Sequence, residues 1–295
     1  MISNLHTHTR FSDGSSRPEK YILEAFRQGF RVLGFSDHSP VPFRNNFAIR
    51  NSPKALQKYC DEILRLRDKY SGTPPLPKER GSGGEAGLDI LLGLEVDCIP
   101  GLSSPIDHYR TNYPFDYFIG SVHLVKNGHS GDLWFIDGPY AAIYDRGLQK
   151  FFHGDIRAGV TAYYSQIREM VIREKPDIIG HLDKIKMHNR GRYFSESDPW
   201  YVDQVNETLD VIKNAGSVIE VNTRGMYKKR SDSLFPGPEI LRKILGLDIP
   251  VALTSDAHRP DELSLGFEEA SSLLKNVGFK GLTVFGPGSC RTEPL

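Results

Sequence analysis

The chain has 295 residues, of which 37 are basic and 37 acidic, and its formal net charge at pH 7 is zero. This balance excludes the strongly basic surface of a general nucleic-acid binder and gives no reason to expect a membrane partner. A hydrophobic content of 39% and a charged content of 25% are typical of a soluble globular protein. The sequence shows neither a signal peptide nor an apolar stretch of membrane-spanning length, so we expect a cytoplasmic location.

The first stretch that carries chemistry lies at the N-terminus. Residues 2–5 are an apolar run that predicts a buried strand, and His6 and His8 follow it. Side chains two residues apart in an extended chain point to the same side, so both imidazoles can reach one point. Asp13 adds a carboxylate after a short turn. This set of donors is typical of a divalent transition-metal site, although an HxH pair alone also occurs by chance.

Apolar runs that predict strands alternate with amphipathic stretches that predict helices. The predicted strands cover residues 2–5, 32–36, 89–94, 115–121, 176–180, 217–221 and 250–254. Predicted helices begin near residues 16, 52, 140, 199, 238 and 261, and the helical region 140–174 has a break near Gly154. Residues 73–88 are rich in proline and glycine and predict a flexible excursion. We therefore expect one domain over residues 1–285 and a loose tail over residues 286–295.

Seven repeated strand–helix units indicate an α/β protein with a parallel sheet and helices outside it. Seven units fit a closed or nearly closed β/α barrel, and an open doubly wound sheet is the alternative. No glycine-rich phosphate loop follows the first strand, which disfavours a nucleotide-binding fold. Three cysteines, Cys60, Cys98 and Cys290, are an odd number without CxxC spacing, so we expect reduced thiols.

Six of the seven predicted strands end in histidine or a carboxylate. After His6 and His8 these residues are His38, Glu95, His123, His181, Asp256 and His258. In a parallel barrel all of these ends lie on one face, where such enzymes build their active sites. Buried polar groups in such number need partners, and a cluster of metal ions would supply them. The sequence therefore predicts a polynuclear metal site, with Asp37 and Asp97 orienting neighbouring ligands.

The motifs at these strand ends resemble those of the PHP (polymerase and histidinol phosphatase) family, and within it the histidinol-phosphate phosphatases. They are HTHT with Asp13, SDHSP at 36–40, GLEVD at 93–97, IGSVH at 119–123, IIGHLD at 178–183, EVNTRG at 220–225 and TSDAH at 254–258. They span almost the whole chain in the family's order. The resemblance implies a distorted (β/α)7 barrel with a metal site at the C-terminal ends of its strands.

The resemblance also implies three divalent metal ions, which could be zinc, manganese or iron. The first ion would take His6, His8, Glu95 and Asp256. The second would take Glu95, His123 and His181, with Glu95 bridging. The third would take Asp13, His38 and His258. Each set mixes nitrogen and oxygen donors and leaves room for water.

The activity implied by the resemblance is hydrolysis of L-histidinol phosphate to L-histidinol and phosphate, in histidine biosynthesis. A metal-bridging hydroxide would attack phosphorus, and Asp13, Glu95 and His258 would be the catalytic residues. We expect a small phosphorylated substrate whose phosphate contacts basic residues at the barrel mouth, although these residues also fit a solvated loop. The candidates are Lys186, Arg190 and Arg224. Arg224 departs from the family pattern, in which a small residue is frequent at this place.

Three alternatives remain open at this point. A PHP phosphoesterase could act on another small phosphorylated metabolite or on a nucleotide. A catalytically silent PHP-like module is disfavoured because no ligand position is lost. A metal-dependent amidohydrolase typically has eight strands and a metal-bridging lysine, whereas the third strand here carries Glu95. The sequence does not determine the oligomeric state.

Overall fold

The computed structural model describes residues 2–71 and 87–295. The described strands are β1 Ser3–Asn4, β2 Val32–Phe35, β3 Asp89–Asp97, β4 Tyr117–Ser121, β5 Leu124–Lys126, β6 Leu133–Phe135, β7 Ile178–Ile179, β8 Val218–Asn222, β9 Val251–Thr254, β10 Gly281–Gly286 and β11 Ser289–Pro294. The described helices are α1 Pro18–Gln28, α2 Pro53–Tyr70, α3 Ile106–Asn112, α4 Ala141–Phe152, α5 Ile156–Glu174, α6 Pro199–Ala215, α7 Arg224–Tyr227, α8 Pro238–Gly246 and α9 Phe267–Val277.

Seven parallel strands form the central sheet in the order β1, β2, β3, β4, β7, β8, β9. Just beyond the ends of the first and last of these strands, Thr7 pairs with Ala257 in parallel. The amide of His8 donates to the carbonyl of Ala257 at 2.8 Å, and the amide of Ala257 donates to the carbonyl of His6 at 3.0 Å. The sheet is therefore a nearly closed barrel, and the predicted (β/α)7 fold is confirmed.

Local sequence signals fix the helix boundaries. Pro18 opens α1 at its first position, and Gly29 ends it with a left-handed φ of 77° that glycine adopts without strain. The side chain of Ser52 accepts a hydrogen bond from the amide of Ala55 and so caps α2. The predicted break near Gly154 is also present, because α4 ends at Phe152 and α5 begins at Ile156.

Two apolar layers hold the barrel together. The larger layer lies between the strands and the surrounding helices and includes Tyr21, Ile63 and Leu209. The smaller layer fills the inside of the barrel and consists of Leu5, Val32, Leu91, Tyr117, Ile119, Ile178, Val218, Ala252 and Val284. These inward-facing side chains fill the barrel at this level. A ligand site can therefore form only nearer the C-terminal ends of the strands.

The prediction of a loose tail from Gly286 is wrong. Ser289–Pro294 forms β11 and pairs with β10 in an antiparallel hairpin. Val284 of β10 joins the interior apolar layer, and Phe285 packs against that layer. Burial of Val284 removes apolar surface from water and so holds β10, with its partner β11, against the barrel.

Three further parts of the structure bear on the sequence predictions. The helix α3 was not predicted. Residues 124–126 and 133–135, for which the sequence predicted no strand, form β5 and β6, which pair in a short antiparallel hairpin. The predicted excursion at 73–88 falls mainly outside the described residues. Across residues 2–71 and 87–295, no helix has both the length and the apolar character that crossing a membrane would require.

The ring of Tyr117 packs closely against two glycines inside the barrel. Its buried ring lies over Gly93 of β3, and its hydroxyl donates to the carbonyl of Leu5 at 2.5 Å. An added Cβ at Gly93 would lie 2.5 Å from Tyr117 Cε1, and one at Gly34 would lie 2.9 Å from Tyr117 Cζ. These two strands therefore need glycine where the tyrosine ring crosses them.

We predict that Gly93→Ala lowers the free energy of unfolding by about 1–3 kcal/mol, because the ring cannot move without breaking its hydrogen bond. Urea-induced unfolding followed by circular dichroism measures this change. Gly246→Ala is a matched control, since an added Cβ there meets nothing within 4 Å at the end of α8. The packing argument fails if the two variants unfold at the same urea concentration.

Candidate metal centre

The predicted metal ligands converge at the C-terminal end of the barrel. Most of them are buried, namely His6, His8, His38, Glu95, His123, His181 and Asp256, whereas Asp13 and His258 are partly exposed. The chain leaves the strand geometry at two of these positions, since His181 has a φ of 23° and Asp256 a φ of 51°. Such backbone conformations are uncommon for residues with a side chain and are typical of functional sites.

The Glu95 carboxylate lies at the centre of the cluster. Its Oε2 atom is 2.9 Å from Nδ1 of His38, 3.3 Å from Nε2 of His6 and 3.4 Å from Nε2 of His8. Its Oε1 atom is 3.2 Å from Nε2 of His181 and 3.6 Å from Nε2 of His123. One carboxylate thus faces imidazoles from both sides, as a bridging ligand between metal ions would.

Three groups of side chains each place their donor atoms within 4.8 Å of one another. They are His8 with Asp13, His38 and His258, then His6 with His8 and Asp256, and finally His38 with Glu95 and His123. His181 lies beside the last group, because its Nε2 atom is 3.1 Å from Nε2 of His123. The structure brings together all nine ligands that were predicted from the sequence, in groups that overlap the three predicted sets.

The carboxylates of the cluster are ionised. Burial alone would raise the pKa of Glu95, but the nearby His6 and His38 imidazoles outweigh it and hold that pKa well below its usual value. Burial likewise opposes ionisation of Asp256, and the charges of His6 and Arg224 hold its pKa well below the ordinary range. Both groups therefore offer negative oxygens inside the barrel mouth.

The environment shifts the pKa values of the imidazoles in different directions. Burial, together with the neighbouring His258 and His38, lowers the pKa of His8 to about 3. Burial acts in the same direction on His38, but the Glu95 carboxylate outweighs it and raises the pKa of His38 to about 9. His8 is thus neutral, as a metal ligand must be, whereas His38 would exchange a proton for a metal ion.

The donor atoms present fit divalent metal ions. Among the described residues, Nε2 of His6 and Oε2 of Glu95 are buried and make no hydrogen bond. Buried polar atoms without a partner are rare in folded proteins and call for an explanation such as a bound ion. Mixed imidazole and carboxylate donors suit zinc, manganese or iron. The geometry therefore accounts for these atoms as metal donors.

Glu220 holds two of the predicted ligands, His6 and His181, and was not assigned a role from the sequence. Its Oε1 atom lies 2.5 Å from Nδ1 of His6, and its Oε2 atom accepts the amide of His181 at 2.6 Å. A carboxylate on Nδ1 fixes the imidazole tautomer that presents Nε2 to a metal ion. The available signal was a glutamate between Ile219 and Val221, inside an otherwise apolar strand.

Two aspartates orient ligands, as the sequence led us to expect. Asp37 accepts hydrogen bonds from the amides of Thr9 at 2.8 Å and Ser12 at 3.0 Å, and so holds the turn that carries Asp13. Asp97 accepts the amide of His123 at 3.1 Å, and its other oxygen lies 3.6 Å from Nδ1 of that histidine. Neither carboxylate belongs to the three ligand groups.

A cavity of about 230 Å³ opens directly onto the cluster. Besides the ligands, its wall contains Phe47, Phe135, Asp137, Pro139, Arg224 and Arg230. Arg230 was not predicted as a site residue, and the only signal for it was the basic run 228–230 that follows the sixth barrel strand. Within the described ranges Arg230 has no carboxylate partner, so its positive charge is available to a ligand.

Lys186 and Arg190 lie elsewhere. Both line a second cavity of about 370 Å³, together with residues of the 186–196 loop and of 231–233. Lys186 is buried with its Nζ atom 2.7 Å from Asp183 and 3.1 Å from Glu196. Arg190 donates to the carbonyl of Lys229 at 2.8 Å. The structure thus brings Arg224 to the cavity that opens onto the ligand cluster and does not bring Lys186 or Arg190 there.

Comparison with known proteins agrees with this architecture. The profile of the PHP domain matches residues 4–224, which is most of the chain. The chain belongs to the PHP domain family. The matched region extends from β1 to α7 and includes seven of the nine predicted ligands. Asp256 and His258 follow it, in the loop after β9, the strand that closes this PHP barrel.

Curated relatives match this PHP protein along nearly their whole length. A Deinococcus radiodurans protein named "Probable histidinol-phosphatase" is 28% identical over 284 residues, covering 96% of each chain. The histidinol-phosphatase of Bacillus subtilis is 26% identical over 280 residues, covering 89% of this chain and 96% of its own. The family resemblance read from the strand-end motifs is therefore confirmed.

A solved structure shows the same fold. The histidinol phosphate phosphatase of Lactococcus lactis, in complex with zinc, L-histidinol and phosphate, superposes with a TM-score of 0.66. The match covers 98% of both chains at 21% sequence identity. At this identity the likeness establishes the PHP barrel itself.

We predict that Glu220→Gln weakens divalent-metal binding by about 10- to 100-fold, because the imidazole of His6 loses the carboxylate that fixes its tautomer. Titration of chelator-treated protein with Zn²⁺ or Mn²⁺, followed by calorimetry, measures the affinity. Glu207→Gln is the matched control, since Glu207 is exposed on α6, away from the cluster. Equal metal affinities for the two variants would show that Glu220 does not position His6 for metal binding.

Proposed function

We propose that this protein is a metal-dependent phosphomonoesterase that hydrolyses L-histidinol phosphate to L-histidinol and phosphate. The observation that carries the proposal is the Glu95-centred ligand cluster, which opens onto a cavity with arginine in its wall. Relatives that match along the whole chain carry the name histidinol-phosphatase. The Lactococcus lactis protein of the same fold was solved with the two products of this reaction and zinc.

The proposed cofactors are three divalent ions, of zinc, manganese or iron. They would be held by His6, His8, Glu95 and Asp256, by Glu95, His123 and His181, and by Asp13, His38 and His258. When bound, such ions neutralise phosphate oxygens and activate water. The Glu95 carboxylate lies 3.4 Å from His8 of the first set, 3.2 Å from His181 of the second and 2.9 Å from His38 of the third. We therefore assign Glu95 the role of bridging ligand.

Asp13 and His258 have a distinct place in this proposal. They lie at the open edge of the cluster, with Nε2 of His258 3.2 Å from the Asp13 carboxylate. They are the ligands with the most exposed side chains, 31% for Asp13 and 15% for His258. The reacting phosphate must enter from this side, so we count both with Glu95 as the catalytic residues.

The cavity wall has a basic part and an apolar part. Of the two arginines in the cavity wall, Arg230 is the one that has no carboxylate partner among the described residues, and a phosphate dianion gains most from such a group. Phe47, Phe135 and Pro139 form an apolar wall, and Asp137 adds a carboxylate whose Oδ2 atom lies 3.1 Å from Nζ of Lys184 and whose Oδ1 atom is buried without a hydrogen bond to any described residue. An apolar wall with one acidic group suits a leaving group that has a flat ring and an ammonium, as histidinol does.

The first test is phosphate release from L-histidinol phosphate by the protein loaded with Zn²⁺ or Mn²⁺. A panel of other small phosphomonoesters, a nucleotide and a phosphodiester is measured beside it. We expect a kcat/KM for histidinol phosphate at least about 100-fold above the others, since the site would contact its ring and ammonium as well as its phosphate. Chelation should abolish turnover, and added metal should restore it.

The other outcomes separate the alternatives. Similar rates on all monoesters would retain the metal chemistry and overturn the assignment of substrate. Preference for the nucleotide or the diester would indicate a different PHP phosphoesterase. No turnover by protein with its metals bound would indicate a silent module.

A second prediction concerns the phosphate. Arg230→Gln should lower kcat/KM by about 10- to 100-fold, mainly through KM, because a charge-assisted hydrogen bond to the substrate is lost. Metal content should stay unchanged, since Arg230 contacts no ligand side chain. Steady-state kinetics with the preferred monoester measures both constants.

Arg190→Gln is the comparison variant, and we expect its KM to equal that of the parent protein. Arg190 lines the second cavity and not the one that opens onto the cluster, so we expect no contact between its charge and the phosphate. If Arg190→Gln raises KM and Arg230→Gln does not, the cation assignment made from the sequence is the correct one.

A further inference from the structure

Arg224 is a cation in the cavity wall whose contacts run to protein groups. Its Nη1 atom donates to the backbone carbonyl of Asp256 at 2.7 Å and to the hydroxyl of Tyr227 at 3.3 Å. Its Nε atom lies 3.9 Å from the Asp256 carboxylate, and Nη1 lies 3.6 Å from that of Glu262. The side chain is 13% exposed. Its charge is therefore already engaged by two carboxylates.

Glu262 extends these contacts to the second ligand of the same loop. Its Oε2 atom accepts the backbone amide of His258 at 2.9 Å. Its Oε1 atom pairs with Lys228, which follows α7 directly. The side chain of Glu262 is only 3% exposed, so it cannot serve as a substrate contact. Removing either partner would leave an uncompensated buried charge, so these contacts hold the Glu262 carboxylate in one place.

The segment held by these contacts needs support. Asp256 has a φ of 51°, a left-handed conformation that a residue with a side chain keeps only where the surrounding structure holds it. The hydroxyl of Tyr227 donates to the carbonyl of Ser255 at 2.9 Å, just before this residue. The short helix α7 thus braces the loop after β9 from the neighbouring strand end.

We propose that Arg224 and Glu262 form a brace that positions the metal ligands Asp256 and His258, and that Arg224 is a positioning residue rather than a phosphate contact. The proposal rests on the metal site proposed above and adds a residue pair that sets its geometry. Arg224 acts through the backbone of Asp256, and Glu262 acts through the backbone of His258. Neither side chain needs to touch a metal ion.

The test uses Arg224→Met and Glu262→Gln in the full chain. Chelator-treated proteins are titrated with Zn²⁺ by calorimetry, and metal content is measured after dialysis. We expect both variants to lose affinity by about tenfold or more at one site, as for other residues that orient ligands. With the preferred monoester, kcat should fall while KM changes little, and excess metal should restore part of the activity.

Arg259→Gln is the matched control. Arg259 lies on the same loop and pairs with Asp261, but its side chain is 60% exposed and it contacts no ligand. We expect its metal affinity to equal that of the parent protein. Should Arg224→Met fail to fold, Tyr227→Phe removes one contact of the brace and should weaken metal binding in the same direction.

Two results would overturn the brace. One is an Arg224→Met variant with unchanged metal affinity and a raised KM, which would make Arg224 a phosphate contact. The other is unchanged metal affinity both in Glu262→Gln and in Glu262→Met, since methionine cannot accept the amide of His258. Because these readouts do not depend on which monoester is hydrolysed, a wrong substrate assignment leaves them unaffected. Failure of all metal binding in the parent protein would overturn the proposed function itself.

Discussion

The buried carboxylate of Glu95 is the group on which the site depends. An ionised carboxylate without access to water is stable only when positive or hydrogen-bonding groups surround it. Here the surrounding imidazoles come from the ends of β1, β2, β4 and β7, while Glu95 itself belongs to β3. Charge balance at one point therefore links five strands and holds their ends in a fixed arrangement. The remaining ligands close the cluster from the side of β9.

Much of this arrangement could be predicted from the sequence because it depends on local pattern. Alternating apolar and amphipathic stretches identified the barrel strands and most helices, and the break near Gly154 came from composition alone. The spacing of His6 and His8 determined that both side chains share one face, since extended chain alternates. Parallel strands then place all their C-terminal ends together, so distant ligands could be grouped without any contact information.

The parts that sequence reasoning did not reach depend on side-chain contacts that the pattern of strands and helices does not reveal. Lys186 follows a strand end, as the ligands do, yet a tight turn at Lys184–Lys186 directs it to Asp183 and Glu196. Glu220 orients His6 from 214 residues away. The C-terminal hairpin forms because Val284 reaches the inside of the barrel, which composition at 281–295 does not reveal. For Glu220 and Val284 the partner is absent from the local sequence, whereas the partners of Lys186 are near in sequence but are not marked by any strand-end pattern.

The junction between β1 and β9 has a consequence for how the protein folds. The Asn4 side chain donates to the hydroxyl of Ser255 at 2.7 Å across 251 residues of chain, and the metal ligands are divided between the two sides of this junction. Contacts between such distant segments form slowly, because closing a long loop has a high entropic cost. A growing chain that has not yet reached Asp256 lacks part of the donor set. Metal capture at the proposed site would therefore be a late event, restricted to chains whose first and last barrel strands have already met.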